Sequence, residues 1–329
     1  MALVEFTKRG MFCPIADVYI DPLRPVSRAV ITHGHSDHAR PGSDHYLCSV
    51  KSVNILKHRL GKGISVQGLD YGEQISINGV HLSLHPAGHI YGSAQIRLEY
   101  KGEVWVVTGD YKTQADPISQ AFEVVRCNTL VTECTFGLPV FIWEDPRLVI
   151  EEIVSWWSTN RENGVSSVLS AYSLGKAQRL IGELGKYISP IYTHGAIENI
   201  NEIYRNEGVL NIATVPIQAD GEKPNPGSLI IAPPSAIDTT WTRKIGPYSL
   251  GIASGWMALR GNRRRRNADR GFSLSDHCDW KGLNEVVDGC GAQMVYTMHG
   301  YADSFSRWLE EKGIGSAPVQ SELIREKDF

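Results

Sequence analysis

The sequence predicts an α/β protein made of two differently textured parts, and three observations carry that expectation. From Ile15 to about Ile142 the chain reads as short β-branched strands parted by Gly, Pro and Asp turns, with one helix near Lys51 to Leu60. From Trp143 onward helix and strand alternate, the pattern of a parallel sheet. At the far end a strand from Met294 to Met298 stops at His299, echoing an early strand that stops at His33, so the tail is expected to rejoin the first part. The expected domains are residues 1–142, an insertion over 143–254 and a return segment over 255–329. A chain of 329 residues exceeds what one core usually organises, which suits that division.

In the first part, strands are expected at Val18 to Ile20, Ala29 to Thr32, Val80 to Leu84, Ala94 to Glu99 and Val104 to Thr108. Their polar ends suggest two packed sheets whose loops carry the chemistry. In the insertion, Asp145-Pro146 offers an N-cap and a first-turn proline for a helix through Trp157. A strand at Val165 to Ser170, helices at Leu174 to Tyr187 and Ile197 to Asn206, and strands at Ile191 to Thr193, Thr214 to Ile217 and Leu229 to Ala232 complete it. It is expected to end at the glycine-rich return from Gly251 to Gly255.

With 42% hydrophobic and 21% charged residues, the composition is that of a soluble globular protein. No apolar run approaches the roughly 20 residues that span a bilayer, and the first residues lack a signal-peptide pattern, so a cytoplasmic protein without membrane attachment is expected. The six cysteines show no C-x-x-C pair and are read as free thiols. Net charge is −3, yet the stretch from Arg260 to Arg270 carries a local +5, leaving −8 elsewhere. A basic patch on an acidic body is compatible with a phosphate-tracking site.

The chemistry concentrates in Ala29-Val30-Ile31-Thr32-His33-Gly34-His35-Ser36-Asp37-His38, an apolar strand running into three histidines and an aspartate. His33 and His35 can face one point, Asp37 and His38 a neighbouring one. A pair of metal ions needs roughly three ligands apiece plus a bridge, so further ligands must come from elsewhere. His89 in a Gly-flanked turn, Asp110 after an apolar strand and His299 all occupy strand ends. Glu133 follows another apolar run, and His277 lies between Asp276 and Asp279. The remaining histidines, His45, His58, His81, His85 and His194, read as surface, turn or capping residues.

These residues resemble a known family. Thr32-His33-Gly34-His35-Ser36-Asp37-His38-Ala39 looks like the metallo-β-lactamase superfamily signature, with Asp21, His89 and Asp110 at its other metal-site motifs. Glu133-Cys134-Thr135-Phe136-Gly137, Ser275-Asp276-His277 and Met298-His299-Gly300 resemble the three additional motifs of the β-CASP nucleases. Within that group, Tyr19-Ile20-Asp21-Pro22, Pro86-Ala87-Gly88-His89, Gly109-Asp110-Tyr111-Lys112-Thr113 and Gly255-Trp256-Met257 leading into the arginines are similar to the bacterial ligase-associated DNA exonucleases.

The resemblance implies a four-layer αββα metal domain with the β-CASP α/β domain inserted as a cap. It implies two divalent ions, zinc or else manganese, one held by His33, His35 and His89, the other by Asp37, His38 and His299, with Asp110 bridging. Asp21 would brace the ligand loop from behind. Asp37 is counted both as a ligand and, with Glu133 and His277, as catalytic. His277 is the candidate general acid, with Glu133 orienting its ring and strengthening its hold on a proton. Asp276 could bind metal, strengthen the histidine or do neither. For substrate, Ser173 is expected to cap a helix whose start faces a phosphate, with Lys176 and Arg179 nearby, while Ser275 and a loop carrying Arg263, Arg264, Arg265 and Arg266 complete the contacts. The implied activity is exonucleolytic hydrolysis of DNA in repair, beside a DNA ligase and a helicase. An RNA nuclease is the first alternative, since His299 is shared with the RNA-processing branch; a small-substrate hydrolase and an inactive scaffold are further ones.

Overall fold

The computed structural model describes residues 2–217, 223–259, 261 and 267–319. The chain divides into two units, the first combining Met1–Ile142 with His277–Phe329 and the second comprising Trp143–Asp276. The second unit therefore lies, in sequence, inside the first.

Unit 1 contains two sheets. The first runs in chain order through β1 (Glu5–Thr7), β2 (Gly10–Cys13), β3 (Val18–Ile20), β4 (Arg28–Val30), β5 (His45–Ser49) and β6 (Val66–Leu69). From β3 to β6 its strands are parallel. The second combines β7 (Gln74–Ile77), β8 (Val80–Pro86), β9 (Ala94–Tyr100), β10 (Glu103–Val107), β11 (Thr129–Glu133), β18 (Met294–Met298) and β19 (Gly315–Pro318). Its spatial order is β19, β18, β11, β10, β9, β8, β7, so the return segment supplies two strands to a sheet begun two hundred residues earlier.

The two-residue period of the strands separates their faces. In β10 and β11, Trp105, Val107 and Val131 join a core shared with Ile20, Val30 and Leu47 of the first sheet. Val106 and Leu130 face the other way, onto α5 (Trp280–Cys290) and α6 (Ala302–Glu311), through Leu283, Val287, Phe305 and Leu309. On the outer face of the first sheet, Ala29, Tyr46 and Cys48 pack against Leu56 of α1 (Val53–Leu60). Each sheet thus has one face on its partner and one under helix. All six cysteines are buried free thiols.

Unit 2 is a wholly parallel six-stranded sheet in the order β14 (Thr214–Pro216), β13 (Ile191–Thr193), β15 (Leu229–Ala232), β12 (Ser166–Ser170), β16 (Tyr248–Ala253), β17 (Arg270–Phe272). Among the described residues its longer helices are α2 (Pro146–Glu162), α3 (Lys176–Leu184) and α4 (Gly195–Asn206). Asp145 accepts from Arg147 N at 2.9 Å ahead of Pro146, which fixes where α2 starts. His194 caps α4 by accepting from Ala196 N at 3.1 Å.

The unit ends later than residue 254. Gly251 is an interior position of β16, and β17 pairs with that strand to extend the sheet, burying Phe272 fully against Trp156. A glycine in a buried strand had the look of a turn. Its reason here is close packing, since a Cβ at Gly251 would lie 2.9 Å from the rings of Phe272 and Trp156. No described helix is long and apolar enough to cross a membrane.

Candidate metal centre

The parallel strands β10, β11 and β18 lie side by side, with Val107 opposite Val131 and Glu133 opposite Met298. Their C-terminal ends therefore share one edge, which is where Asp110, Glu133 and His299 stand. His33 and His35 follow β4, and Asp21 follows the neighbouring β3. His89 stands in the turn between β8 and β9, where its N–H donates to Ser93 Oγ at 3.1 Å.

The backbone at these points is unusual. Asp21 and His299 have φ of 42° and 64°, in the left-handed region that costs a side-chain-bearing residue roughly 1–2 kcal/mol. Gly109 (φ 56°) precedes Asp110 because a Cβ there would sit 2.6 Å from that of Thr32. That approach locks the Asp110 turn against the histidine loop.

Three ring nitrogens meet at one point: His35 Nδ1 lies 3.0 Å from His33 Nε2 and 3.1 Å from His89 Nε2. Asp110 Oδ2 stands 3.5 Å from His33 Nε2 and 3.7 Å from His89 Nε2. The other oxygen, Oδ1, faces His38 Nε2 at 3.4 Å. His38, Asp110 and His299 form a second group of donors close enough to share an ion. One carboxylate thus turns an oxygen to each cluster, the arrangement a bridging ligand requires.

His38 is set from behind. Its Nδ1 lies 2.7 Å from Asp21 Oδ2, and the same carboxylate accepts from Thr32 N at 2.8 Å and Thr32 Oγ1 at 2.5 Å. With Nδ1 committed to Asp21, His38 presents Nε2 to the centre, and that buried atom has no hydrogen-bond partner. Burial and the nearby His38 push the pKa of His33 well below its ordinary value, leaving the neutral ring that ligates metal. Burial also opposes a charged His38, yet Asp110 and Asp21 outweigh it and raise its pKa well above the usual range. Asp110 is driven far down because His38 and His277 outweigh its desolvation.

The donor set fits a pair of divalent ions. Converging imidazole nitrogens cannot all be satisfied by the single N–H that each neutral ring carries, whereas a cation satisfies them together. Asp37 is half exposed, with an oxygen 3.7 Å from His38 Nε2, at the solvent side of the second group. A cavity of about 50 Å³ beside His38 and His299 is lined by the apolar Phe6, Met11, Met298 and Val319 and by the charged Asp37 and Arg40.

Beside Asp110, His277 Nδ1 lies 2.9 and 3.0 Å from the two oxygens of Glu133. Glu133 is buried and immobilised: Oε1 accepts from Tyr111 N at 2.9 Å, Oε2 from Thr135 Oγ1 at 2.6 Å and from Thr135 N at 3.3 Å. The His277 side chain keeps 27% of its surface exposed. Asp110, Glu133 and His277 are themselves close enough to share an ion. The roles of Thr32 and Thr135 went unread in the sequence, although each adjoins a motif carboxylate or histidine.

The expected substrate contacts come out differently. Lys176 is 4% exposed, and its ammonium lies 2.6 Å from Leu274 O and 3.2 Å from Asp276 Oδ1. It is a buried internal cation rather than a surface one. Ser173 does not cap α3, which begins after Gly175; the Gln178 side chain accepts from Gly175 N at 2.8 Å and donates to Ser173 O at 3.0 Å. Ser275 is buried, its carbonyl taking Arg179 Nη1 at 2.6 Å. Asp276 is an ion-pair partner within unit 2, with Arg179 Nη1 2.9 Å away. Arg263, Arg264, Arg265 and Arg266 lie outside the described residues.

No family model matches the chain. A probable DNA ligase of Opitutus terrae is 31% identical over 316 residues, 94% of this chain and 30% of the relative. An RNase J-like protein of Methanocaldococcus jannaschii is 23% identical over 214 residues, 55% of this chain and 50% of the relative. The endoribonuclease YSH1 of Saccharomyces cerevisiae is 29% identical over 127 residues, 38% of this chain and 16% of the relative. The chain thus spans half or less of the length of each of these relatives. One likeness runs along nearly all of this sequence and the others along parts of it, and with them the chain belongs to the β-CASP group of the metallo-β-lactamase superfamily.

Proposed function

We propose that the protein is a metal-dependent phosphodiesterase that degrades DNA from an end in the course of repair. Unit 1 is read as the αββα metal domain and unit 2 as the β-CASP cap. The observation that carries the chemistry is Asp110, which turns one oxygen to the His33, His35 and His89 cluster and the other to His38. His33, His35 and His89 would hold one ion, His38, His299 and Asp37 the other, with Asp110 between. Bound there, two divalent ions would acidify an attacking water and neutralise charge on the phosphate under attack.

The chain's own residues handle the leaving group. With Glu133 accepting Nδ1–H of His277, the doubly protonated ring would carry a second proton on Nε2, the one that the departing oxygen needs. As the P–O bond breaks, its electron pair goes to that oxygen and the Nε2 proton follows. Its partly exposed ring suits a group that must reach a large substrate. DNA is favoured because the relative named as a probable DNA ligase aligns with 94% of this chain; work alongside a ligase and a helicase in the cytoplasm belongs to the same proposal. The second reading, an RNA nuclease, is favoured by the RNase J-like and endoribonuclease relatives.

Digestion of 5′-labelled and 3′-labelled single- and double-stranded DNA and RNA with added zinc or manganese tests both. Progressive shortening of DNA from one end is expected. Cleaved RNA beside intact DNA would establish the second reading, and no cleavage of either would end both.

A further inference from the structure

Burial pushes the thiols of Cys13, Cys48 and Cys278 up, as it does for structural cysteines. Cys127 and Cys290 differ because they meet each other. Cys127 N–H donates to Cys290 O at 3.1 Å, and the two thiols are hydrogen-bonded together. A backbone bond of that kind sets two Cα atoms roughly 5–6 Å apart, inside the range of about 4.4–6.8 Å over which a disulfide closes. The Cys127 thiol, helped by the Ala292 backbone and Arg126, draws the pKa of Cys290 down against its burial, while the same bond pushes Cys127 up. Cys127 is 9% exposed and Cys290 1%, so the pair is open on the Cys127 side to a molecule little larger than water.

Their place in the fold gives the pair a consequence. Cys127 stands just before β11 and Cys290 closes α5, so they belong to the two separate stretches of chain that build unit 1. Between them the Asn128 carbonyl accepts from Gln293 N at 2.9 Å, and Asn128 Oδ1 accepts from Val104 N at 2.8 Å. Glu133 and His299 stand at the other ends of β11 and β18, roughly 20 Å along the strands.

We propose that Cys127 and Cys290 form a reversible redox site, oxidised by hydrogen peroxide, whose disulfide staples the two stretches of unit 1 together. The Cys290 thiolate attacks a peroxide oxygen and the O–O bond breaks, leaving a sulfenic acid and a hydroxide that takes up the proton Cys290 released. The Cys127 sulfur then attacks the Cys290 sulfur, the S–O bond breaks, and the departing hydroxide leaves as water with the Cys127 proton. Two thiols and one peroxide give one disulfide and two waters. The new bond encloses residues 128–289, all of unit 2 among them, and a loop that long is where a crosslink most restricts the unfolded chain.

The test is peroxide treatment of the full chain, alkylation in denaturant, and peptide mapping with Glu-C. Cleavage after Glu123, Glu133 and Glu285 separates Cys127 from Cys134 and Cys290 from Cys278. A Cys127–Cys290 crosslinked peptide is expected, lost again on treatment with dithiothreitol, with the other four cysteines recovered alkylated. The oxidised protein should melt about 5–10 °C higher than the reduced one. Cys127→Ser should leave a sulfenic acid on Cys290 that dimedone traps, and Cys290→Ser should leave Cys127 unlabelled. The mapping of the unsubstituted chain decides the matter even if a serine variant does not fold. Recovery of both cysteines alkylated, over-oxidation of Cys290 without a crosslink, or crosslinks spread over other pairs overturns the proposal. A crosslink that leaves the melting temperature unchanged overturns the stapling role.

Discussion

The two units treat buried polar groups in opposite ways. In unit 1 the ring nitrogens of His33, His35 and His89 converge to 3.0 and 3.1 Å with Asp110 oxygens beside them, and His38 Nε2 is buried without a hydrogen-bond partner. In unit 2 Lys176 and Arg179 are equally buried but meet carbonyl and carboxylate oxygens, with Arg179 Nη2 alone left over in that group. In the first cluster more ring nitrogens and carboxylate oxygens face one another than the single N–H of each neutral ring can satisfy, a deficit that a cation would fill. The second is closed by the chain itself at each of these contacts, Arg179 Nη2 excepted. Polar burial of similar depth therefore marks a site in one place and a brace in the other, and hydrogen-bond accounting tells them apart.

The sharpest way to break this contrast is Asp110→Ala. Removing the carboxylate that faces both clusters should abolish nuclease activity, a loss of at least about 10⁴-fold, and reduce bound metal from two ions to one or none by elemental analysis. Full metal content with activity intact would show that Asp110 bridges nothing. Asp21→Ala probes the same centre at one remove. It leaves every donor in place but frees His38 Nδ1 and Thr32, so metal affinity measured against a competing chelator should fall about 10- to 100-fold. Unchanged affinity would reduce Asp21 to a loop-bracing residue with no influence on the ligand.

Much of the centre was legible because it is written locally. His33, His35 and His38 sit within six positions, and His89, Asp110, Glu133 and His299 each follow an apolar strand, so strand-end position alone drew attention to them. The second unit's start at Trp143 was visible for a similar reason, a change from alternating strands to helix and strand. Lys176 was misread because a helix-start lysine looks like a surface cation until its partners are known, and those partners, Leu274 and Asp276, lie almost a hundred residues away. The late end of unit 2 was hidden by Gly251, whose meaning depends on the rings of Phe272 and Trp156. Helices α5 and α6 escaped for want of a proline or an alternating flank, although Asp279 accepts from Gly282 N at 2.8 Å as an ordinary cap. Non-local partners are what a single sequence conceals.

Metal removal gives the mildest and most discriminating comparison. An ion that binds only the folded state stabilises it by RT ln(1 + [L]/Kd), about 2.7 kcal/mol at a hundredfold excess over Kd. Chelation should therefore lower the stability of unit 1 by about that amount, and amide exchange should quicken in the loops carrying His33, His89 and Asp110, where ring nitrogens and carboxylate oxygens face one another closely. In unit 2 the same treatment should leave the amides of α3 and β12 as protected as before, because Lys176 and Arg179 Nη1 find their partners within the chain. The measurement is hydrogen exchange by mass spectrometry with and without chelator, read peptide by peptide. Equal loosening of both units would mean that the Lys176, Arg179 and Asp276 cluster depends on the metal centre, and the contrast between site and brace would have to be given up.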